Sequence, residues 1–93
     1  MVGWDYVIVR TDSAGVHMGF LRRYQGKEVE LTNTRRLWSW VGAMSLSEVA
    51  KFGIKEGSKL SVELDRIILT EAVEIIPVAD DIAKQLREFP RYG

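Results

Sequence analysis

The sequence of 93 residues has no cysteine, a single histidine, two prolines and no excess of either charge, with 13 basic residues against 13 acidic ones. Each shortage removes a class of protein. Without cysteine there is no disulfide and no thiolate metal site, and nothing calls for an oxidising compartment. His17 alone does not make a zinc site, so no metal and no cofactor is expected. The charge balance argues against a sequence-independent grip on long nucleic acid, which draws on net positive charge, while leaving room for a local basic pocket. No apolar run approaches the roughly 20 residues of a membrane-spanning helix, so no membrane partner is expected. The opening stretch MVGWDYVIVR enters a strand-like pattern at once, so no signal peptide is expected and a cytosolic setting is. The glycines are scattered, no glycine-rich run precedes a helix with a lysine, and no Gly-x-Ser-x-Gly elbow occurs.

What remains is the composition of a folded chain, with 46% apolar and 28% charged residues and the length of a single domain, residues 1–93. Hydrophobic spacing predicts a strand from Trp4 to Arg10, a polar loop over Thr11–Gly15, and a strand from Val16 to Arg23 with Val16, Met18 and Phe20 on one face. A turn using Gly26 leads to Lys27–Thr32, with Val29 and Leu31 inward and Glu28 and Glu30 outward. If that strand ran unbroken to Val41, Leu37 and Val41 would join the inward face and Trp38 and Trp40 would lie beside the glutamates; a break at Asn33-Thr34 would reset the register. Gly42-Ala43 ends the strand. Ser45 and Glu48 form a capping box for a short helix from Leu46 to about Phe52, stopped by Gly53. Gly57–Leu64 alternates as a strand, and Ile67–Ile76 is expected to be one central strand ended by Pro77. Asp80–Phe89 carries Ile82, Ala83, Leu86 and Phe89 on a helical stripe, and the tail from Pro90 is expected to be loose. The expected fold is α+β, a mostly antiparallel twisted sheet or partly open barrel of five to six strands with one short and one C-terminal helix.

The stretch NTRRLWSWVGAMSLSE concentrates two adjacent arginines and two of the three tryptophans. Residues two apart on a strand stand roughly 6.7 Å apart, a gap that admits one flat ring. Arg36, Trp38 and Trp40 would then offer a guanidinium for phosphate and indoles for bases, with Arg35 as the alternative cation. The plainer reading puts the tryptophans in a core or interface and pairs the arginines with acids. Gly15 permits positive φ, so the Ser13–Gly15 loop is either an anion-binding concavity or only a hairpin loop. His17 is either a satisfied strand residue or a general acid–base group. Asp80-Asp81 suits a helix N-terminus, and Glu71 and Glu74 fall on opposite strand faces, so no carboxylate pair for catalysis emerges. Three aromatic types, three residues of each, are hard to hide in one small sheet, which points to a symmetric homo-oligomer.

Three stretches, RTDSAGVHMG, GKEVELTNTRRLWSWVGAMSLSE and ILTEAVEIIP, resemble a family of small uncharacterised proteins encoded by tailed bacteriophages. Its patterns run R-T-x-S-A-G-V-H-x-G, then A-R-R-I-W-x-W-x-G-A-x-S-L, then L-T-E-A-I-E-I-I-P. The likeness extends from Val7 to about Leu86, and Thr34 stands where the pattern has alanine. The resemblance implies no activity of its own. It implies a phage accessory protein in the host bacterial cytoplasm, and small phage proteins of that kind often counter host defence. By analogy with that strategy, the expected function is a non-enzymatic oligomeric binder that sequesters a nucleotide-type immune signal, a cyclic nucleotide or ADP-ribose derivative. Its ligand residues would be Arg36, Trp38, Arg35, Trp40, His17, Ser13 and Gly15. The alternatives are a protein-binding inhibitor of a host defence enzyme and a small phosphodiesterase using His17.

Overall fold

The computed structural model describes residues 5–92. Its elements run β1 (Tyr6–Thr11), β2 (Val16–Gln25), β3 (Glu28–Ser39), α1 (Leu46–Phe52), β4 (Lys59–Leu60), β5 (Leu64–Leu69), β6 (Ala72–Pro77) and α2 (Asp80–Glu88). The six strands form one antiparallel sheet in the order β4-β3-β2-β1-β6, with β5 beside β3, and the fold is the expected α+β. β4 and β5 pair with successive halves of β3, so they share its outer edge. β6 lies at the opposite edge, on β1. A two-residue turn, Thr70-Glu71, joins β5 to β6. The sheet must therefore curl far enough to bring its two edges together at that end, where the Ala72 amide also bonds the Lys27 carbonyl at 3.0 Å. The curl divides the core by face. Val7, Val9, Val29, Leu31, Leu69 and Ala72 fill the inside of the curl. Ile8, Met18, Leu37 and Leu60 face the two helices, meeting Val49, Ala50, Ala83 and Leu86.

The division depends on a bulge. Phe20 pairs with Thr32 and Met18 with Arg35, so β3 advances three residues while β2 advances two. The extra residue is accommodated at Asn33, whose φ of 48° is a conformation asparagine tolerates better than most side chains. Gly19 lies opposite, and a Cβ there would stand 2.9 Å from the Thr32 carbonyl oxygen. The bulge flips the alternation of β3: Val29 and Leu31 point into the curl, whereas Leu37 belongs to the helix-side core. Of the two registers open to the sequence, the broken one is found.

The capping box is present: Ser45 Oγ accepts from the Glu48 amide, while the Glu48 carboxylate accepts from Met44 rather than from Ser45. Three expectations change. Ile67–Ile76 is two edge strands and not one central strand, because the polar pair Thr70-Glu71 interrupts its pairing. Gly57–Leu64 contributes only the two residues of β4, with Leu64 starting β5. The tail is tied down, since the Tyr92 amide donates to the Leu60 carbonyl at 2.8 Å. Trp4, expected at the start of the first strand, lies outside the described residues. No helix among the described residues is long and apolar enough to cross a membrane.

Candidate functional site

A groove of about 250 Å³ opens where β3 passes from β5 to β4, lined by His17, Thr34, Arg35, Arg36, Trp38, Ser61, Val62, Leu64 and Ile67. Its residues come together for reasons of register. His17 of β2 is paired with Arg36 of β3, and in a ladder paired side chains share a face. Trp38 follows two residues on, again on that face. Ile67 joins the groove to the apolar filling of the curl. The groove thus lies beside the apolar filling of the curled open sheet, a concave place of the kind ligands occupy.

Arg36 and Trp38 are exposed, the indole to 53%. Among the described residues the Arg36 guanidinium has no carboxylate partner, while its main-chain amide donates to Ser61 Oγ at 2.8 Å. Trp38 meets the Tyr92 ring edge-on at 6.0 Å between ring centres, and Lys59 Nζ lies 4.7 Å from the centre of the Tyr92 ring. His17 is buried, with Nε2 2.9 Å from the Ala14 carbonyl oxygen. A carbonyl only accepts, so Nε2 carries the proton. Burial holds the His17 pKa below its ordinary value and the Arg36 charge adds to this, against the opposing pull of the Ala14 bond, so the ring is neutral at pH 7.

The adjacent arginine does something else. Arg35 is only 4% exposed and faces the helices. Its Nε donates to the Ser61 carbonyl at 2.8 Å, and its Nη1 donates to the Leu86 and Phe89 carbonyls at 2.9 and 2.6 Å. The guanidinium thereby caps the C-terminal end of α2, where the helix dipole and the unpaired carbonyls favour a cation. Burial pushes its pKa down, opposed by Tyr6 and Glu63, yet guanidinium stays charged in a protein. Arg35 is therefore held as a structural cation, its donors directed at main-chain carbonyls.

Trp40 is also reassigned. A second irregularity, where Leu37 pairs with Leu60 and Ser39 with Lys59, changes the phase again, and Trp40 packs half-buried against the helix-side core. The Thr11–Gly15 loop does not line the groove. Its Ala14 amide is taken by Thr11 Oγ1 at 2.9 Å, and Thr11 also bonds the Gly15 carbonyl through its amide and hydroxyl. Ser13 Oγ donates to the Glu71 carboxylate, an unfavourable neighbour for an anion. Ser13 and Gly15 belong to a hairpin loop whose part in the site is to orient His17 through Ala14. Of the seven residues expected from sequence, His17, Arg36 and Trp38 are brought together with free surface or atoms toward the groove. Thr34, Ser61, Val62, Leu64 and Ile67 were missed; their place follows from the bulge and the β4–β5 break, which no local pattern announces.

Fold and groove define a small α+β domain, a curled antiparallel sheet backed by two helices, with a mixed aromatic and cationic groove at its open end. The chain belongs to the family designated DUF6948, a domain of unknown function, whose profile matches residues 4–86. No curated protein and no solved structure matches it.

Proposed function

We propose that this protein binds a small nucleotide-type anion in the groove and holds it without transforming it. The observation that carries the reading is the pairing of an exposed, carboxylate-free Arg36 with an exposed Trp38 on one strand face beside a groove of about 250 Å³. Trp38 offers a stacking surface and Arg36 a fork for phosphate. The neutral His17, with one nitrogen bound to the main chain, is equipped to recognise rather than to exchange protons. A groove this small suits one nucleoside unit, below the 300–1,000 Å³ or so of sites for larger ligands. A dinucleotide signal would have to span two copies, which ties this reading to a homo-oligomer. The likeness to tailed-phage proteins gives the setting: a phage accessory protein in host cytoplasm that sequesters a cyclic nucleotide or ADP-ribose-type immune signal.

A second reading rests on a different feature. Trp38, Val62 and Leu64 rim the groove with 53%, 52% and 51% exposure, an apolar surface of the kind that anchors protein contacts. On that reading the protein blocks a host defence enzyme. One experiment separates the two. The protein is incubated with a panel of mono-, cyclic and ADP-ribose-type nucleotides, freed of excess, heat-denatured, and the supernatant chromatographed. Intact nucleotide, lost on Arg36→Ala and on Trp38→Ala with melting temperatures unchanged, supports the binder. Altered nucleotide supports a phosphodiesterase. No nucleotide, with these variants as stable as the parent, refutes the binder and favours the protein partner. Light scattering on the same samples that shows a monomer refutes the assembly.

A further inference from the structure

The polar groups of the groove can be accounted for one by one. Nε and Nη1 of Arg35 are taken up by the main-chain carbonyls of Ser61, Leu86 and Phe89, with Arg87 at the margin of bonding distance. Ser61 Oγ accepts from the Arg36 amide and donates to the Val62 carbonyl at 2.9 Å. Beside the exposed indole N–H of Trp38, three groups are left among the described residues. One is the Arg36 guanidinium. The second is Nδ1 of His17, because the ring's only proton is on Nε2 and points to Ala14. The third is Thr34 Oγ1, on a residue 1% exposed, which has no hydrogen-bond partner.

These leftovers differ in what they require. Arg36 only donates. A hydroxyl turns to give or to take a proton, so Thr34 adapts to either. Nδ1 of a neutral, Nε2-protonated imidazole only accepts. It cannot change roles by tautomerising, because the Ala14 carbonyl would then face a bare nitrogen lone pair. The floor of the groove therefore presents one fixed acceptor. A ligand edge carrying only acceptors would set lone pair against lone pair and leave a buried group unsatisfied. Arg36 lies directly across the ladder from His17, so anion and donor are demanded on the two sides of one paired position.

We propose that the groove selects nucleotides whose base presents an N–H donor at the edge facing His17 while the phosphate lies at Arg36, amino-bearing bases over bases with acceptors alone at that edge. The proposal rests on the nucleotide-binding reading above and adds to it the chemical class of the base. Adenosine monophosphate and purine riboside monophosphate make the test, since they differ by the single exocyclic amino group. Isothermal titration on the wild-type protein should show the amino-free analogue binding at least about tenfold more weakly, because a site built to pair with an N–H discriminates strongly against its absence. His17→Leu should erase the preference without abolishing binding. His17→Gln, whose amide retains an acceptor oxygen, should keep it. Equal affinity of the wild-type protein for the two nucleotides overturns the proposal and leaves the binding reading standing. Binding of neither overturns both. Should His17→Leu fail to fold, the wild-type comparison alone decides.

Discussion

Exchanging Arg35 for methionine isolates what this buried cation does. Methionine fills much of the same space but donates nothing, so three carbonyl acceptors lose their partner at once. The Leu86 carbonyl is buried, and leaving a buried acceptor unpaired costs about 1–3 kcal/mol. The Ser61 and Phe89 carbonyls are half-buried, so water replaces part of what they lose, and about half that cost is expected for each. The total is about 3 kcal/mol or somewhat more. In a domain of this size each kcal/mol shifts the melting temperature by roughly 4–8 °C, so Arg35→Met should melt at least about 12 °C below the wild type. Arg36→Met, with the side chain exposed and unpaired, should stay within about 0.5 kcal/mol. The assay is thermal unfolding by far-ultraviolet circular dichroism on both variants in the same buffer. If the two melt within a few degrees of each other, the division of labour between the adjacent arginines is refuted.

Gly19→Ala should lower the urea midpoint by an amount worth about 1–3 kcal/mol, since the new Cβ meets Thr32 O, Leu31 Cβ and Thr34 Cα at 2.9–3.2 Å and none of these swings aside; an unchanged midpoint would show that the bulge relaxes. His17 has its folded-state pKa held below 6.5, so the unfolded chain binds the proton first as pH falls. Its contribution to stability is accordingly flat above 6.5 and declines as pH drops from there toward the folded value, and His17→Gln should show a shallower loss of stability over that interval; identical slopes would contradict the assignment. Tyr92→Ala should weaken the near-ultraviolet tryptophan signal and loosen nucleotide binding several-fold by freeing Trp38, whereas Tyr92→Phe, which keeps the ring, should resemble the wild type.

Much of the fold was legible because it is written in local spacing. The alternation of Val16, Met18 and Phe20, the Ser45 cap on the Glu48 amide and the Ile82–Leu86 stripe each need only a few consecutive residues, and each is found as expected. Where tertiary pairing decides, spacing fails. Ile67–Ile76 is apolar enough to pass for a central strand, and only Thr70-Glu71 marks the turn that sends its halves to opposite edges. The site shows the same limit. Arg36 and Trp38 could be named from composition, but which arginine faces the groove depends on one φ angle at Asn33 and on a partner strand. The role of the last residues was not legible at all, because Arg35 and Trp38 hold them through contacts more than 50 residues apart in the chain.

The bulge at Asn33 separates two properties of a strand that usually go together, its length and its phase. β3 carries one residue more than β2 requires between the Phe20 and Met18 pairings, and the kink absorbs the surplus so that both flanking ladders keep their partners. Deleting Asn33 would remove the surplus without moving a single flanking pair, so the groove should survive the loss of a residue from its own strand. Inserting a residue between Thr34 and Arg35 with the ladder drawn regular is the opposite case. The two arginines would trade places, Leu37 would leave the helix-side core, and Trp38 would be driven into it. The shorter chain should therefore be the quieter change, and the protein's tolerance at this point should be lopsided, permissive to subtraction and intolerant of addition.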